Sequence, residues 1–168
     1  MNTTDKINLE NFILMRDNVR KIRQNYEQNV KEQGKEVFLE AAKQIFQTNP
    51  NLEYFSWNQY TPYFNDGDEC NFTVNYDYVS IKTTNMEDGA EDLEIYDYDS
   101  WLDPNNKWKP ELENYGVSSY EELQQIAKSI QEVMWIFDHD DYKMMFDDHQ
   151  TVTVYSDGTV EVEEYEHD

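Results

Sequence analysis

Apolar positions along the chain change period three times. Phe12, Met15, Val19, Ile22, Tyr26 and Val30 recur at steps of three and four from about Leu9 onward, which predicts an amphipathic helix preceded by a frayed segment over 1–8. Arg16, Arg20 and Arg23 lie beside that stripe, either solvated or paired with nearby acids, or else docked against the chain's own acidic part. Gly34 interrupts the pattern, at about 1 kcal/mol relative to Ala inside a helix. Val37, Phe38, Ala41, Ala42, Ile45 and Phe46 then form a second stripe. The two stripes drift out of phase, which favours two helices over one helix bent at Gly34. Asn49-Pro50 ends the helical region, because proline disfavours the α conformation in the residue before it.

Alternation follows. Tyr54 to Gln59 reads as a strand with Phe55 and Trp57 on one face. Cys70, Phe72, Val74, Tyr76 and Tyr78 alternate with polar residues and predict a half-buried strand, continued after a phase change by Val79 to Thr83. Between them, Tyr60 to Glu69 is too long for a tight hairpin and reads as a structured loop packed by its own aromatics. Ile95, Tyr96 and Tyr98 predict a short edge strand guarded by charge. Trp101 and Trp108 look like anchors of a loop.

Ser118-Ser119-Tyr120-Glu121-Glu122 is a strong helix start, with Ser119 and Glu122, or Ser118 and Glu121, at capping-box spacing. Leu123, Ile126, Ala127, Ile130, Val133, Met134 and Phe137 carry that helix from about 119 to 137, and His139-Asp140-Asp141 ends or breaks it before a further turn at Tyr142 to Phe146. The chain closes in a hairpin whose register follows from side-chain chemistry. A two-residue Asp157-Gly158 turn would set valines opposite glutamates. A three-residue Ser156-Asp157-Gly158 loop pairs Val154 with Val160 and Val152 with Val162, leaving Thr151, Thr153, Glu161 and Glu163 wet. Gly158 is then the left-handed residue of a G1-bulge loop. These elements predict one α+β domain over residues 1–168: N-terminal helices, an antiparallel sheet from about 52 to 98, one core helix and a C-terminal β-hairpin.

Charge changes this picture most. The chain of 168 residues carries a formal net charge of −23. Residues 1–48 hold eight Lys/Arg against seven Asp/Glu, whereas 49–168 hold five against twenty-nine. Surface carboxylates aid solubility, but this concentration also suits a basic partner protein. The sequence proposes as partner-binding carboxylates Asp66, Asp68 and Glu69 in the loop, and Asp88, Glu91, Asp92, Glu94, Asp97, Asp99 and Asp103 in the acidic stretch after it. Direct nucleic-acid binding is disfavoured, because the phosphate backbone needs Lys and Arg. The polar N-terminus lacks a leader's apolar core and no run approaches the ~18 apolar residues of a membrane span, so a cytoplasmic protein with no membrane partner is expected. Homo-oligomers through the first helix fit its apolar stripe.

Candidate chemistry is sparse. The sole cysteine, Cys70, sits among apolar alternation and acids, which favour an unreactive thiol. Asn65-Asp66-Gly67-Asp68-Glu69 offers oxygen ligands, but Gly67 comes too early for an EF-hand loop. His139, His149 and His167 each adjoin a carboxylate. A cation-binding module or metal-dependent enzyme using the 60–69 loop with a nearby histidine is therefore the alternative to a non-enzymatic, cofactor-free interaction protein. The stretch from Trp57 through Gln59-Tyr60-Thr61-Pro62-Tyr63-Phe64-Asn65-Asp66-Gly67, with the closing Val152-Thr153-Val154 and Glu164-Tyr165-Glu166-His167-Asp168, resembles segments of phage and bacterial proteins of unassigned activity. The small, acidic, aromatic composition is similar to that of phage DNA-mimic inhibitors. That resemblance implies an anti-defence inhibitor acting in the host cytoplasm on a basic, nucleic-acid-binding host protein, and it transfers no catalytic residue.

Overall fold

The computed structural model describes residues 3–64, 67–86, 91–96 and 98–166, with side chains from Leu9 onward. Its organising element is β1 (Leu52–Tyr60), the middle strand of a six-stranded antiparallel sheet. On one edge β1 pairs with β3 (Ser80–Thr83) and, at its far end, with the two-residue β2 (Thr73–Val74). On the other edge it pairs with β5 (Gln150–Tyr155), which carries β6 (Val160–Glu164). The edge strand β4 (Leu93–Glu94) closes the β3 side. The mixed α+β architecture is the expected one, but the closing hairpin is an integral part of the sheet, supplying two of its six strands. Its register is the valine-on-valine pairing, Val154 with Val160 and Val152 with Val162, and Gly158 has φ +89°.

One sheet face is dry. Phe55, Trp57, Ile81, Val152 and Val154 are fully buried there. They pack against α2 (Lys35–Thr48), α3 (Tyr120–Met134) and α4 (His139–Phe146), which supply Phe38, Ile45, Leu123, Ile130, Tyr142 and Phe146. The rings meet mostly edge to face: Phe38 lies 5.6 Å from both Trp57 and Tyr142, and Trp57 lies 5.6 Å from Phe146. That geometry sets the positive ring edge on the negative ring face. The indole N–H of Trp57 donates to Gln59 Oε1 at 3.1 Å. Buried Gln59 in turn donates through Nε2 to the carbonyls of Asp147 (2.6 Å) and Tyr142 (3.3 Å).

Several elements differ from the sequence expectation. The N-terminal region is not two helices: α1 (Thr3–Asn29) runs through a five-residue π-helical segment, Val30–Gly34, straight into α2. Asn29 and Lys35 both keep helical angles (φ −64°, ψ −40° and φ −60°, ψ −42°). A π turn inserts an extra residue, so the phase drift between the stripes is absorbed without breaking the helix. Gly34 serves a close approach: a Cβ there would sit 3.0 Å from the sulfur of Met145 on α4. The helix also starts at Thr3, inside the segment expected to fray.

The strand expected over 70–78 shrinks to β2. Asn75-Tyr76-Asp77 forms turns instead, with Tyr78 N–H donating to the Asn75 carbonyl, and β3 takes the rest of that edge of β1. The edge strand is β4 rather than 95–98, and Tyr98 begins a 3₁₀ helix, Tyr98–Leu102. Ser119 caps α3 by accepting from the Glu122 N–H, while Glu122 reaches back to the Ser118 N–H. α3 stops at Met134. His139-Asp140-Asp141 opens α4 rather than ending a helix, through a capping box of Asp138 and Asp141. Trp101 is a buried anchor, whereas Trp108 is 87% exposed. In the 60–69 loop, where self-packing was expected, Phe64 is exposed, Tyr63 stacks on His149 (5.0 Å), and Tyr60 lies 5.3 Å from Tyr165.

Gln59→Leu keeps the volume but strands the Trp57 N–H and the Asp147 carbonyl in a dry site. With about 1–3 kcal/mol for each buried polar group left unpaired, a loss of about 2–4 kcal/mol is expected in urea unfolding, and a near-neutral result would refute the assignment.

Candidate functional site

The acidic stretch is placed by two apolar residues. Leu93 and Ile95 are buried, and β4 pairs Leu93 with Ile81 and Glu94 with Ser80. Alternation along an extended chain then turns Asp92, Glu94 and Tyr96 outward, where all three are exposed. Trp101, buried, and the Tyr98 hydroxyl, donating to Gln131 Oε1 on α3 at 2.5 Å, pin the segment that follows. Between these two anchored stretches lies a cleft of about 740 Å³ lined by Glu91, Asp92, Glu94, Tyr96, Trp108 and Tyr115, among others.

Asp92 also borders the open face of the sheet, where a smaller hollow of about 290 Å³ lies over β1 and β5. A transverse row crosses this face. The Tyr54 hydroxyl donates to Asp92 Oδ2 at 2.6 Å, the Tyr54 ring meets the Tyr155 ring edge-on at 5.4 Å, and the Tyr155 hydroxyl donates to Glu161 Oε2 at 2.8 Å. Burial and then the bond to Asp92 push the Tyr54 phenol well above its usual range. The bond to Glu161, then burial, raises Tyr155. Both phenols therefore stay protonated donors at neutral pH. Hydroxyl and amide pairs run alongside: Ser56 with Thr153 at 3.0 Å and Thr151 donating to Asn58 Oδ1 at 2.7 Å. Glu163 adds a further carboxylate to the hollow's rim, and Lys82 sits 5.8 Å from the Tyr54 ring and 3.7 Å from Glu53.

Of the carboxylates singled out from the sequence, Glu91, Asp92 and Glu94 come together at the cleft. Asp68 and Glu69 are exposed on the 60–69 loop and line neither the cleft nor the hollow. Asp99 accepts from Gln124 at 3.4 Å, and Asp103 shapes a turn by accepting the Asn105 N–H at 2.8 Å. Asp66, Asp88 and Asp97 lie outside the described residues. Sequence reasoning missed Tyr54, Tyr155, Glu161 and Glu163 as members of the site. Their alternation was legible as a wet face; the pairing of Tyr54 with Tyr155 that joins them to Asp92 was not.

The arrangement suits cation recognition: fixed carboxylates beside exposed aromatic faces accept guanidinium and ammonium groups. The histidines are otherwise engaged. His139 Nδ1 accepts the Val74 N–H at 2.9 Å, and His149 stacks on Tyr63. His167 lies outside the described residues. Among the described residues no three His, Cys, Asp or Glu side chains converge as metal ligands. No described helix is long and apolar enough to cross a membrane. Arg16 and Arg23 pair within their own helix, with Asp17 at 2.9 Å and Glu27 at 2.8 Å, rather than with the acidic face. No protein-family model, curated protein or solved structure matches this chain.

Asp148 secures the root of the 60–69 loop. It accepts the Thr61 N–H (2.8 Å) and hydroxyl (2.7 Å) and pairs with Lys143 at 2.7 Å. Burial opposes its charge, but the bonds from Lys143 and Thr61 outweigh burial and hold its pKa at about 2. The folded state thus binds this proton more weakly than the unfolded chain, whose aspartates titrate near about 3.9. Its stabilisation is complete above that value and fades as pH falls toward 2. Asp148→Asn should lower stability at neutral pH and flatten the stability–pH curve between those limits; parallel curves for the two proteins in thermal unfolding would contradict this.

Proposed function

We propose that the protein is a non-enzymatic interaction protein whose acidic face binds the basic surface of a partner, with nucleic-acid-binding proteins as the class best matched. One observation carries this reading: Asp92 and Glu161 stand at the two ends of the Tyr54–Tyr155 pair, so the open sheet face presents carboxylates on a rigid, pre-ordered platform. Strands and paired tyrosines hold these charges before the partner arrives, which limits the entropy lost on binding. The cleft beside Asp92, with Glu91, Glu94 and exposed Trp108, adds a recess for arginine or lysine side chains. A surface of this kind competes with nucleic acid for a basic groove, since duplex DNA itself presents one charge per ~1.7 Å of axis. DNA mimicry, with a phage-type, anti-defence role as inhibitor of a host protein, is the finer form of the proposal.

The test uses nucleic-acid-binding proteins of a bacterial lysate, retained on heparin and offered to the immobilised full chain at low salt. A captured partner should be released by high salt and displaced by duplex DNA. Neutralising the platform with Asp92→Asn, Glu94→Gln, Glu161→Gln and Glu163→Gln should slow association about tenfold or more, since steering depends on summed charge. Retention that ignores both salt and the four substitutions would sink the proposal; displacement by salt but not by DNA would remove mimicry while keeping the acidic face.

A further inference from the structure

From Leu9 to Gln28 nearly every side chain of α1 is exposed, although the helix carries a continuous apolar stripe. Phe12, Met15, Val19 and Ile22 are between 63% and 69% exposed, and Tyr26 is 49% exposed. Among the described residues, the helix meets the rest of the protein near its end, where the Tyr26 hydroxyl donates to buried Asp141 at 2.6 Å and Val30, just beyond it, enters the interior. A stripe of this size on a monomer marks an interface.

Its spacing identifies the occupant. Phe12, Val19 and Tyr26 fall at a positions and Met15 and Ile22 at d positions of an unbroken heptad repeat. The seam is therefore apolar over about 21 Å at 1.5 Å per residue. Its flanks suit a second copy of itself. The g positions are Asn11, Asn18 and Asn25, and the e positions include Arg16 and Arg23, whose charges are already matched by Asp17 and Glu27 on the same helix. Glu10 and Asp17 fall at f, farthest from the seam, so two such helices approach without facing rows of carboxylates. α1 also lies in the near-neutral part of this very acidic chain, since residues 1–48 carry eight basic against seven acidic side chains. Including Leu9, the seam exposes on the order of 500 Å² per copy, and two copies bury on the order of 1,000 Å², the size at which specific interfaces begin.

We propose that α1 is the seam of a homodimer, pairing helix to helix with a second copy of this chain and leaving the acidic face free. The proposal stands independently of what that face binds, and salt separates the two: screening weakens capture of a basic partner but strengthens association between two bodies of like charge. Sedimentation equilibrium of the full chain should show monomer and dimer, with the dimer favoured as salt rises. Val19→Glu with Ile22→Glu should weaken association by at least about tenfold by placing charge in two apolar layers, while Val19→Ile with Ile22→Leu retains it. Near-UV circular dichroism of the glutamate variant should match the parent, because both side chains are exposed in a single copy. A parent that stays monomeric at every concentration and salt, a glutamate variant that still dimerises, or one that loses its near-UV signal would each overturn the proposal.

Discussion

The buried contact between Trp57, Gln59 and the turn after α4 is the constraint on which the rest of the molecule depends. Trp57 fills the space between α2 and α4, and its buried N–H needs an acceptor. Gln59, two residues on and therefore on the same strand face, supplies it and spends its own amide on the Asp147 carbonyl. Asp147 has φ +68° and His149 φ +55°, so the backbone is held in the left-handed region on the way into β5. That reversal delivers β5 alongside β1 in the register that sets Tyr54 opposite Tyr155. A core hydrogen bond on one sheet face thus fixes what the other face displays.

The acidity of the chain is distributed so that the fold tolerates it. Tyrosine hydroxyls donate to Asp92, Glu161 and Asp141, giving carboxylates a fixed partner without adding basic residues. Leu93, Ile95 and Trp101 tie the acidic segment to the core, and its exposed carboxylates then meet solvent. The repulsion that remains among the exposed carboxylates is moderated by salt and distance.

The two halves of the charge distribution correspond to two kinds of surface. The sheet's open face and its neighbouring cleft are charged, preorganised and suited to basic groups. The exposed stripe of α1 is apolar and nearly neutral, and the π-helical segment at 30–34 joins it without a break to α2. Docking of the N-terminal arginines on the acidic face would have merged these surfaces; the local pairs Arg16–Asp17 and Arg23–Glu27 keep them apart.

Local rules determined much of this protein from its sequence alone. Period and cap chemistry placed α3 and its Ser119 cap, alternation placed β1, and the need to keep valines on one face set the closing hairpin with Gly158 in its loop. These features depend on residues close in the chain. The strand over 70–78 failed because alternation says only that a segment suits a sheet, while the edge it needed was filled largely by β3. The stripe on α1 likewise shows that a helix has an apolar face, not what covers it. The candidate site belonged to the same unreadable part. Glu91, Asp92 and Glu94 were visible as acids, but Tyr54, Tyr155 and Glu161 joined them only through pairing across the sheet, as in the Ser56–Thr153 contact spanning 97 residues. Such pairings are chosen by the competition of all strands for a common core, and only the tertiary structure decides that competition.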